Sequence, residues 1–342
     1  MLPGFLFLPN MKTAPEIYLA PFQGITGAEF REVYACHFPF INKFFTPFFV
    51  NFYTFKKIHE KKGKEIEKTH HNFQPVTPQI LSKDADEIVS FGNYCAELGF
   101  KEINWNLGCP FPRVAYKKRG SGMLPYPDLV DSILNSVNSK LKIRLSVKCR
   151  LGYFSPEEIF NLLDIFKKYK ISELIIHARI GKQMYSGNVD LDSFEGVVQQ
   201  TDLPVIYNGD IFSVEDYKKY SDRFPSIDKW MIGRGLLTDP FLPGDIKGDN
   251  TVHIEYRKRF IRKYVDDLYF TYRKTKNDHL HSISVMKELW GYLANSFDHP
   301  VRVFSLVKKT KSFDEYENAV SRIFNEYEWV GFQSPKINSN SV

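Results

Sequence analysis

The 342-residue sequence predicts an α/β protein: a parallel (β/α)8 TIM barrel followed by a small C-terminal helical domain. Two observations carry this prediction. Eight short apolar stretches end in polar residues, Gly or Pro, and successive ends lie 25 to 42 residues apart. That interval accommodates one strand, one helix and two loops. An open doubly wound sheet would also alternate strands with helices, but eight units of similar length favour a closed barrel.

The eight predicted strands lie within the first 235 residues. In chain order they are 17–20, 44–45, 76–79, 103–106, 145–148, 174–177, 205–208 and 230–233. In a parallel barrel the carboxyl ends of all strands lie at one face, and that face carries the reactive groups. We therefore predict a catalytic barrel domain over residues 1–245.

Helix signals fill the intervals between the strands. Short polar side chains cap helix N-termini when an acidic residue follows three positions later, and prolines favour the first helical position. The signals are Asp84 with Glu87, Pro127, Ser155 with Pro156 and Glu158, and Ser213 with Asp216. Gly99 is predicted to end the first of these helices.

The pattern changes after residue 245. Pro240, Pro243, Gly244 and Gly248 indicate a linker. Apolar residues then recur at helical spacing within 261–268, 285–293 and 313–324. We predict a helical domain over 246–342 that ends in a frayed tail rich in Asn and Ser.

The net charge of +6 is concentrated in this second domain. Residues 253–312 hold 13 Lys and Arg against 6 Asp and Glu, whereas the rest of the chain is close to neutral. This distribution fits a polyanion held by the helical domain, and it fits an ordinary solvated surface equally well. The segment also contains aromatic side chains that can stack on bases, although most are expected in the core. They are Tyr256, Tyr264, Tyr269 and Tyr272.

The four cysteines, Cys36, Cys95, Cys109 and Cys149, lie far apart and lack the paired spacing of zinc ligands. We expect no metal site and no disulfides, and a reducing, cytoplasmic location. No apolar run approaches the roughly 20 residues of a membrane span, so no membrane association is expected. The apolar segment 1–9 has no preceding Lys or Arg and is not expected to be a signal peptide.

Cys109 is the predicted catalytic residue. It lies in Asn106-Leu107-Gly108-Cys109-Pro110, where a predicted strand gives way to a loop. An ordinary thiol has a pKa of about 8.5 and is mostly protonated at neutral pH, so it can donate a proton as well as act as a nucleophile. A packed structural thiol is the commoner fate of cysteine, but flanking Gly108 and Pro110 indicate a loop rather than an apolar face.

The ends of the seventh and eighth predicted strands suit a phosphate group. Asn208-Gly209-Asp210 ends the seventh strand, and Gly233-Arg234 ends the eighth. Barrels commonly bind phosphate between these two strands. Glycines let backbone N–H groups approach the phosphate oxygens, and an arginine supplies charge. One such motif alone would indicate only a turn, but two at the expected strands predict a cofactor phosphate.

Three other strand ends carry groups suited to a polar ring. Lys148 ends the fifth strand, where a buried ammonium needs an anionic partner such as a reduced flavin, unless the side chain reaches solvent at the rim. His177 and Arg179 end the sixth strand and favour a pocket for electron-rich oxygens, although a lone histidine there is more often structural. Gln79, at the end of the third strand, can donate and accept hydrogen bonds at a flavin edge.

In their order and position, these motifs resemble those of the tRNA-dihydrouridine synthase family. The resemblance covers about residues 17–242, with a weaker match over 287–293. The matching segments are 20–26 (Ala-Pro-Phe-Gln-Gly-Ile-Thr), the Gln79 strand end, 103–110, the spacing from Cys109 to Gly120, 148–152 (Lys-Cys-Arg-Leu-Gly), 177–179 (His-Ala-Arg), 208–210 (Asn-Gly-Asp) and 233–235 (Gly-Arg-Gly).

The resemblance implies a cofactor, a reaction and a partner. FMN, reduced by NADPH, would pass hydride to carbon 6 of a tRNA uridine, and Cys109 would give a proton to carbon 5. Carried over by position, the FMN contacts fall on Pro21, Phe22, Gln79, Lys148, His177, Asn208, Gly209, Asp210, Gly233 and Arg234. Asn106 and Arg179 would face the uracil. Arg113 and Lys117 would lie beside the opening, near the tRNA backbone, and a monomer is expected.

Two other functions are compatible with parts of the sequence. A flavin barrel enzyme acting on a small molecule, such as dihydroorotate or an enoate, explains the strand ends but not the basic helical segment. A non-catalytic RNA-binding protein on a barrel scaffold explains the basic segment but not the joint presence of Cys109, Lys148 and His177.

Overall fold

A computed structural model of the chain describes residues 14–52, 63–66, 75–249, 251–275 and 279–333. Nine parallel strands form one sheet. They are β1 (Glu16–Leu19), β2 (Lys43–Phe45), β3 (Val76–Thr77), β4 (Gln79–Ile80), β5 (Glu102–Leu107), β6 (Arg144–Gly152), β7 (Leu174–Ile180), β8 (Val205–Asn208) and β9 (Lys229–Ile232). Their hydrogen-bonded order is β3-β2-β1-β9-β8-β7-β6-β5-β4. Because the two edge strands β3 and β4 are separated in the chain only by Pro78, the sheet closes into a barrel.

Pro78 explains why nine strands stand where eight were predicted. Proline has no N–H to donate, so the predicted third strand is divided into two short pieces. β3 pairs with β2, and β4 pairs with β5. The Pro78 carbonyl still accepts the Asn104 N–H at 2.8 Å. The interruption is local, and the predicted (β/α)8 barrel is confirmed.

Helices surround the barrel between successive strands. They are α1 (Ala28–His37), α2 (Ala85–Glu97), α3 (Pro112–Ala115), α4 (Pro127–Asn138), α5 (Phe160–Lys168), α6 (Leu191–Gln200), α7 (Val214–Arg223) and α8 (Arg234–Thr238). Except for the short α3, their apolar faces form one continuous core with the outward-facing strand residues. A second, smaller cluster around Ile175, Ile206 and Met231 fills the barrel interior. The two clusters follow from the alternation of side chains along each strand.

The predicted helix caps form, with one difference. Asp84 accepts backbone N–H groups of the first turn of α2, and Ser213 with Asp216 forms a reciprocal capping box on α7. Glu87 does not return to the cap of its own helix. Its carboxylate instead accepts the Phe52 N–H at 2.8 Å. The predicted Asp84–Glu87 box is therefore half formed, because Glu87 satisfies the backbone of a neighbouring loop.

The chain after the barrel is helical. α9 (Leu242–Ile246) spans the predicted boundary at residue 245, and α10 (Ile254–Thr275), α11 (His279–Leu293), α12 (Pro300–Lys308) and α13 (Phe313–Glu326) follow. The sequence patterns did not predict α12. Helix α10 packs on α1, where the Tyr264 and Tyr34 rings lie 6.1 Å apart. The Tyr272 hydroxyl also donates to the Ile25 carbonyl at 3.3 Å. These contacts join the helical region to the barrel.

Two expectations concern segments outside the described residues: the apolar start at 1–9 and the tail beyond residue 333. Within the described ranges, none of the helices has both the length and the apolar character needed to cross a membrane.

Candidate functional site

One cleft opens at the carboxyl ends of the barrel strands. It consists of an inner cavity of about 510 Å³ and an outer cavity of about 1500 Å³. Both volumes include the space at the mouth that is open to solvent. Pro21, Phe22, Lys148, Tyr185 and Arg234 line both. Nine of the ten residues predicted to bind a cofactor line the inner cavity: Pro21, Phe22, Lys148, His177, Asn208, Gly209, Asp210, Gly233 and Arg234. The predicted catalytic residue lines the outer cavity.

One end of the inner cavity is built from the loop after β8 and the turn before α8. Arg234 Nη2 donates to Asp210 Oδ1 at 2.6 Å. The guanidinium lies 5.1 Å from the ring centre of Tyr185 and 5.4 Å from that of Phe212. Gly209 has a φ of 155°, and a Cβ there would lie 2.8 Å from a neighbouring side chain. Glycine backbone beside an oriented guanidinium suits a phosphate group.

Lys148 projects from β6 between the two cavities. Its Nζ donates to Asn208 Oδ1 at 2.9 Å, and Asn208 Nδ2 donates to the Met231 carbonyl at 2.8 Å. Burial, together with the charge of Arg150, lowers the pKa of Lys148 to about 8. This ammonium hydrogen-bonds a neutral amide and has no carboxylate partner among the described residues, so an anionic ligand edge would stabilise its charged form.

His177 ends up neutral at the cavity wall. Burial lowers its pKa well below the usual range, and the charges of Arg150, Lys148, Arg179 and Arg234 act in the same direction. Arg179 Nη1 lies 3.4 Å from His177 Nε2. Because a guanidinium only donates, this contact makes Nε2 the acceptor and leaves the ring proton on Nδ1.

Arg179 is buried and does not line either cavity. All five of its N–H groups have acceptors. They are both carboxylate oxygens of Asp210, the carbonyls of Ser186 and Gly187, and His177 Nε2. The side chain ties the loop after β7 to the loop after β8. Its predicted contact with uracil has no support from this geometry and stays a prediction.

The wall of the inner cavity carries an excess of positive charge. Lys148 and Arg234 line it, whereas Asp210 is the one carboxylate among the described residues that do so. Asp210 is already shared by two guanidinium groups, those of Arg179 and Arg234. Partly buried cations without matching anions are costly. The cavity therefore fits an anionic ligand, such as a molecule that carries a phosphate group.

Both backbone polar groups of Cys109, its N–H and its carbonyl, are hydrogen-bonded. Asn106 Oδ1 accepts the N–H groups of Gly108 and Cys109, both at 3.0 Å. The Cys109 carbonyl accepts the Ser121 N–H at 3.0 Å and the Ser121 Oγ at 3.1 Å. A Cβ at Gly120, which has a φ of +56°, would lie 2.5 Å from the same carbonyl. The loop conformation is thus fixed by specific contacts and by the need for glycine.

The Cys109 thiol is protonated at neutral pH. The residue is 8% exposed and lines the outer cavity. Burial raises its pKa, whereas a hydrogen bond with the Phe111 backbone and the charges of Arg150 and Lys148 partly oppose that rise. A thiol that keeps its proton in a solvent-connected cleft can serve as a general acid.

Gln79 lies beneath the cleft rather than in its wall. Its Oε1 accepts Asn106 Nδ2 at 2.8 Å, and its Nε2 donates to Asn104 Oδ1 at 2.8 Å. One amide hydrogen and one acceptor lone pair of Gln79 remain beyond these bonds. The observed contacts fix Asn106, which in turn fixes the Cys109 loop. The predicted contact of Gln79 with a flavin edge stays a prediction.

The sequence analysis did not single out Tyr185, which lines the cleft, or Arg150, which lies beside Cys109 without lining either cavity. Tyr185, in the loop after β7, lines both cavities. Arg150 Nε donates to the Gly108 carbonyl at 3.1 Å, and its Nη1 donates to the Ile180 carbonyl at 2.8 Å. Arg150 therefore joins the ends of two barrel strands beside Cys109. Its place two positions after Lys148 on the same strand was a signal for the same face.

The helical region completes the outer cavity. Glu288 and Tyr292 of α11 line it opposite the barrel loops. The Tyr292 ring lies 5.8 Å from that of Phe22. A Cβ at Gly24, where φ is +87°, would lie 2.9 Å from Glu288 Oε2. The weaker family match over 287–293 was a signal for this segment, but it did not indicate that these residues reach the barrel mouth.

The predicted basic residues Arg113 and Lys117 lie near the cleft but outside it. Arg113 is in α3 and Lys117 follows that helix, and both are exposed. Neither lines the two cavities. They follow Phe111, which does line the outer cavity, so they lie in the loop that borders its opening.

A closed parallel barrel with a phosphate-type cavity next to a protonated thiol defines the class: a cofactor-dependent enzyme with its site at the strand ends. Comparison with known proteins identifies the family. The model of the dihydrouridine synthase family matches residues 18–330, and this chain belongs to that family.

Two curated relatives are tRNA-dihydrouridine synthases. The chain is 34% identical over 230 residues to tRNA-dihydrouridine synthase B of Pasteurella multocida (strain Pm70), covering 66% of this chain and 67% of the relative. It is 26% identical over 260 residues to tRNA-dihydrouridine(16) synthase of Neisseria meningitidis serogroup A, covering 74% and 76%. The resemblance inferred from the motifs is confirmed.

Solved structures agree on the fold. The old yellow enzyme homologue from Zymomonas mobilis superposes with a TM-score of 0.50 at 10% sequence identity, covering 67% of this chain and 87% of that one. At this identity the similarity concerns the barrel architecture alone.

Proposed function

We propose that this protein reduces the 5,6 double bond of a tRNA uridine to dihydrouridine, with FMN as cofactor and NADPH as reductant. The observation that carries the proposal is the arrangement of the cleft. A cation-rich cavity suited to a phosphate-bearing ring adjoins a cavity that contains a protonated thiol. Membership of the dihydrouridine synthase family and the names of the two relatives support it. We propose that the protein acts in the cytoplasm as a monomer.

The residues of the inner cavity would hold FMN. Arg234 and the backbone at Gly209 and Gly233 would bind its phosphate, and Pro21 with Phe22 would support its ring. Lys148 and the Nδ1–H of His177 would donate to the electron-rich ring edge. When bound and reduced, the flavin supplies hydride to carbon 6 of the uracil.

Cys109 would deliver the proton that completes the reduction. Hydride addition at carbon 6 leaves negative charge toward carbon 5 and the ring carbonyl, and protonation at carbon 5 removes it. The raised pKa of Cys109 keeps that proton available, and its fixed loop gives it one position. After proton transfer the thiolate must regain a proton from solvent before the next turnover. The opening of the outer cavity to solvent permits this.

Asn106 and the helical region would bind the substrate side. One amide hydrogen of Asn106 is not used by Gln79 and is available to a uracil carbonyl. A uracil can reach this depth only when it is turned out of its stack, which costs a few kcal/mol and least in a loop. Tyr292 and Glu288 of α11 border the same cavity, so the helical region contributes directly to the proposed substrate site.

The test begins with tRNA from cells that lack the gene. Mass spectrometry of isolated tRNA should show loss of dihydrouridine at one or more defined positions, and the wild-type gene should restore it. The purified protein should carry bound FMN and form dihydrouridine in that tRNA with NADPH. Protein that binds no flavin, or tRNA with unchanged dihydrouridine, would contradict the proposal. Turnover of a small enoate without RNA would favour the small-molecule alternative.

A further inference from the structure

Exposed aromatic side chains are concentrated on the barrel rim rather than on the helical region. Phe111 is 51% exposed, Tyr116 73%, Tyr126 39% and Phe154 58%. They belong to the loops that follow β5 and β6. Exposed lysines and an arginine accompany them, and together these eight residues are called the rim platform: Phe111, Arg113, Tyr116, Lys117, Lys118, Tyr126, Phe154 and Lys182.

The tyrosines of the helical region are mostly core residues. Tyr264, Tyr269 and Tyr272, in α10, are at most 2% exposed and pack in the main hydrophobic core. Tyr256 is the exception, with 60% exposure, and Phe270 on the same helix is 49% exposed. The side chains available for stacking on RNA bases therefore lie chiefly on the barrel, among the described residues.

The rim platform is continuous with the Cys109 loop. A Cβ at Gly181 would lie 2.3 Å from the Tyr153 ring and 2.7 Å from Ser121 Oγ, so the loops after β5, β6 and β7 meet at this point. The Lys182 N–H donates to the Tyr153 carbonyl at 3.0 Å. Ser121 itself holds the Cys109 carbonyl. Phe111 lines the outer cavity, so the platform begins at the opening of the proposed substrate site.

The charge of this surface suits a polyanion. Four Lys and Arg and no Asp or Glu occur between residues 103 and 127. Lys118 Nζ lies 4.0 Å from the centre of the Tyr126 ring, and Lys182 Nζ lies 5.6 Å from that of Phe154. The carboxylate of Glu158, which lies nearby, is occupied by the backbone N–H groups of Tyr153 and Phe154 at 2.7 and 3.1 Å. Aromatic rings interleaved with cations are typical of surfaces that bind unpaired nucleotides.

We infer that the rim platform binds the single-stranded tRNA loop around the target uridine, with its rings stacking on the flanking bases and its cations contacting the phosphates. This inference rests on the proposed function and adds where the loop docks. When the uridine turns into the cleft, its neighbours lose a stacking partner, and the exposed rings beside the opening replace it. A protein partner on the same surface is the alternative that the test distinguishes.

The decisive variants are Tyr116→Ala/Phe154→Ala for stacking and Lys117→Ala/Lys182→Ala for charge. Stacking is worth about 1–3 kcal/mol per base, so the aromatic double variant should bind tRNA at least tenfold more weakly, with an unchanged dependence on salt. The lysine double variant should lower the slope of log affinity against log salt concentration by about 1.4, since each lost phosphate contact on a single strand contributes about 0.7. Tyr116→Phe keeps a ring and should bind like the wild type. Tyr256→Ala, with a comparable exposure on α10, is the matched control and should change affinity by less than twofold.

Affinity for tRNA is measured by fluorescence anisotropy, and dihydrouridine formation gives kcat and KM. Bound flavin and the melting temperature show whether each variant is folded. If the alanine substitution at Tyr116 prevents folding, the conservative Tyr116→Phe variant still tests whether a ring at this position supports binding. Wild-type affinity and KM in both double variants would overturn the inference even if the wild-type protein forms dihydrouridine, and would point to a protein partner. Absence of dihydrouridine in the wild-type reaction would instead overturn the proposed function. An equal loss of affinity in Tyr256→Ala would also overturn the inference, because it would assign docking to the helical region.

Discussion

The two ends of the barrel both bury charged side chains, but they balance them differently. At the base, Lys43 and Lys229 both contact the carboxylate of Glu173, at 2.6 and 3.0 Å, and Lys43 also lies 3.5 Å from Glu102. The Tyr18 hydroxyl donates to Glu173 at 3.0 Å. At the mouth, Lys148 has only a neutral amide partner, and two arginines share Asp210.

The pKa values of Lys229 at the base and Lys148 at the mouth reflect this difference. Burial lowers the pKa of Lys229, but the hydrogen bond and charge of Glu173 outweigh burial, and the net pKa is raised. Burial lowers the pKa of Lys148 to about 8, with no carboxylate to oppose it. A paired charge needs nothing further, whereas an unpaired one is stabilised by a ligand. The comparison identifies the mouth as the binding end and the base as a structural one.

The largest expected effect at the mouth follows from Cys109→Ala. Removing a positioned general acid costs about 10²- to 10⁴-fold in rate, so dihydrouridine formation in tRNA should fall by that factor. FMN content and tRNA affinity should stay close to wild type. Single-turnover assays with prereduced enzyme measure the step directly. Cys36→Ala, at an exposed thiol on α1, is the control and should be fully active. Full activity of Cys109→Ala would exclude its role as the acid.

At the base, Glu173→Gln should reduce stability and leave function intact. The change leaves Lys43 and Lys229 without their shared carboxylate, and breaking a buried pair costs about 3 kcal/mol. Urea unfolding measures this loss, and FMN affinity of the folded protein should not change. If Glu173→Gln lowered FMN affinity as much as a substitution at the barrel mouth does, the base could not be described as purely structural.

The same variant has a defined pH dependence. Burial raises the pKa of Glu173, but hydrogen bonds and charges of Lys43 and Lys229 outweigh burial and leave it below its usual value. A carboxylate with a lowered folded-state pKa contributes stability that is fully present above its unfolded pKa of about 4.3 and is lost as the pH falls through the folded value. The stability difference between wild type and Glu173→Gln should therefore be constant at neutral pH and shrink under acid conditions, below about pH 4.

A third change, Lys148→Met, sharpens the comparison by acting on ligand affinity alone. A charge-assisted hydrogen bond contributes about 1.5–3 kcal/mol, so the apoprotein should bind FMN on the order of tenfold to a hundredfold more weakly at pH 7. With a pKa of about 8, Lys148 is mostly charged at pH 7 and mostly neutral at pH 9. Wild-type affinity for FMN should therefore fall over that interval, and Lys148→Met should show a flatter profile.

Flavin fluorescence quenching gives these affinities. Lys148→Arg keeps its charge through pH 9 and should remove most of the decline. Lys229→Met at the base is the matched control and should bind FMN with wild-type affinity and the wild-type pH profile. A decline from pH 7 to 9 that persists unchanged in Lys148→Met would assign the titration to another group.

The barrel and most of the residues that line the inner cavity were predictable because their signals are local. An apolar stretch that ends in a polar residue or glycine specifies both a strand and the group at its mouth, as for Asn208-Gly209. At Lys148 the predicted strand end was wrong, because β6 continues to Gly152, although the side chain still lines the cleft. Pro78 was visible in the sequence, but its division of a strand depends on which neighbours pair on each side.

The remaining features depend on tertiary contacts that no local pattern contains. Arg179 follows the last residue of β7 that pairs with β8, His177, so it meets the next loops rather than the barrel axis. Gln79 is used by Asn104 and Asn106 on the neighbouring strand. Glu288 and Tyr292 enter the cleft from a helix distant in sequence.

The smallest expected effect concerns Ser121. A variant at this position tests whether the two cavities at the mouth have separate roles. Ser121→Ala removes the hydroxyl that contacts the Cys109 carbonyl at 3.1 Å and leaves the backbone N–H contact at 3.0 Å. A single neutral hydrogen bond contributes about 1 kcal/mol, so kcat for tRNA should fall roughly fivefold. FMN affinity should be unchanged, because Ser121 holds the thiol loop and does not line the inner cavity. Ser136→Ala, whose hydroxyl bonds within α4, is the control and should keep wild-type kcat. If Ser121→Ala weakened FMN binding as much as it slowed turnover, the conformation of the Cys109 loop would also determine the shape of the inner cavity. The proposed acid and the proposed cofactor site would then not be structurally independent.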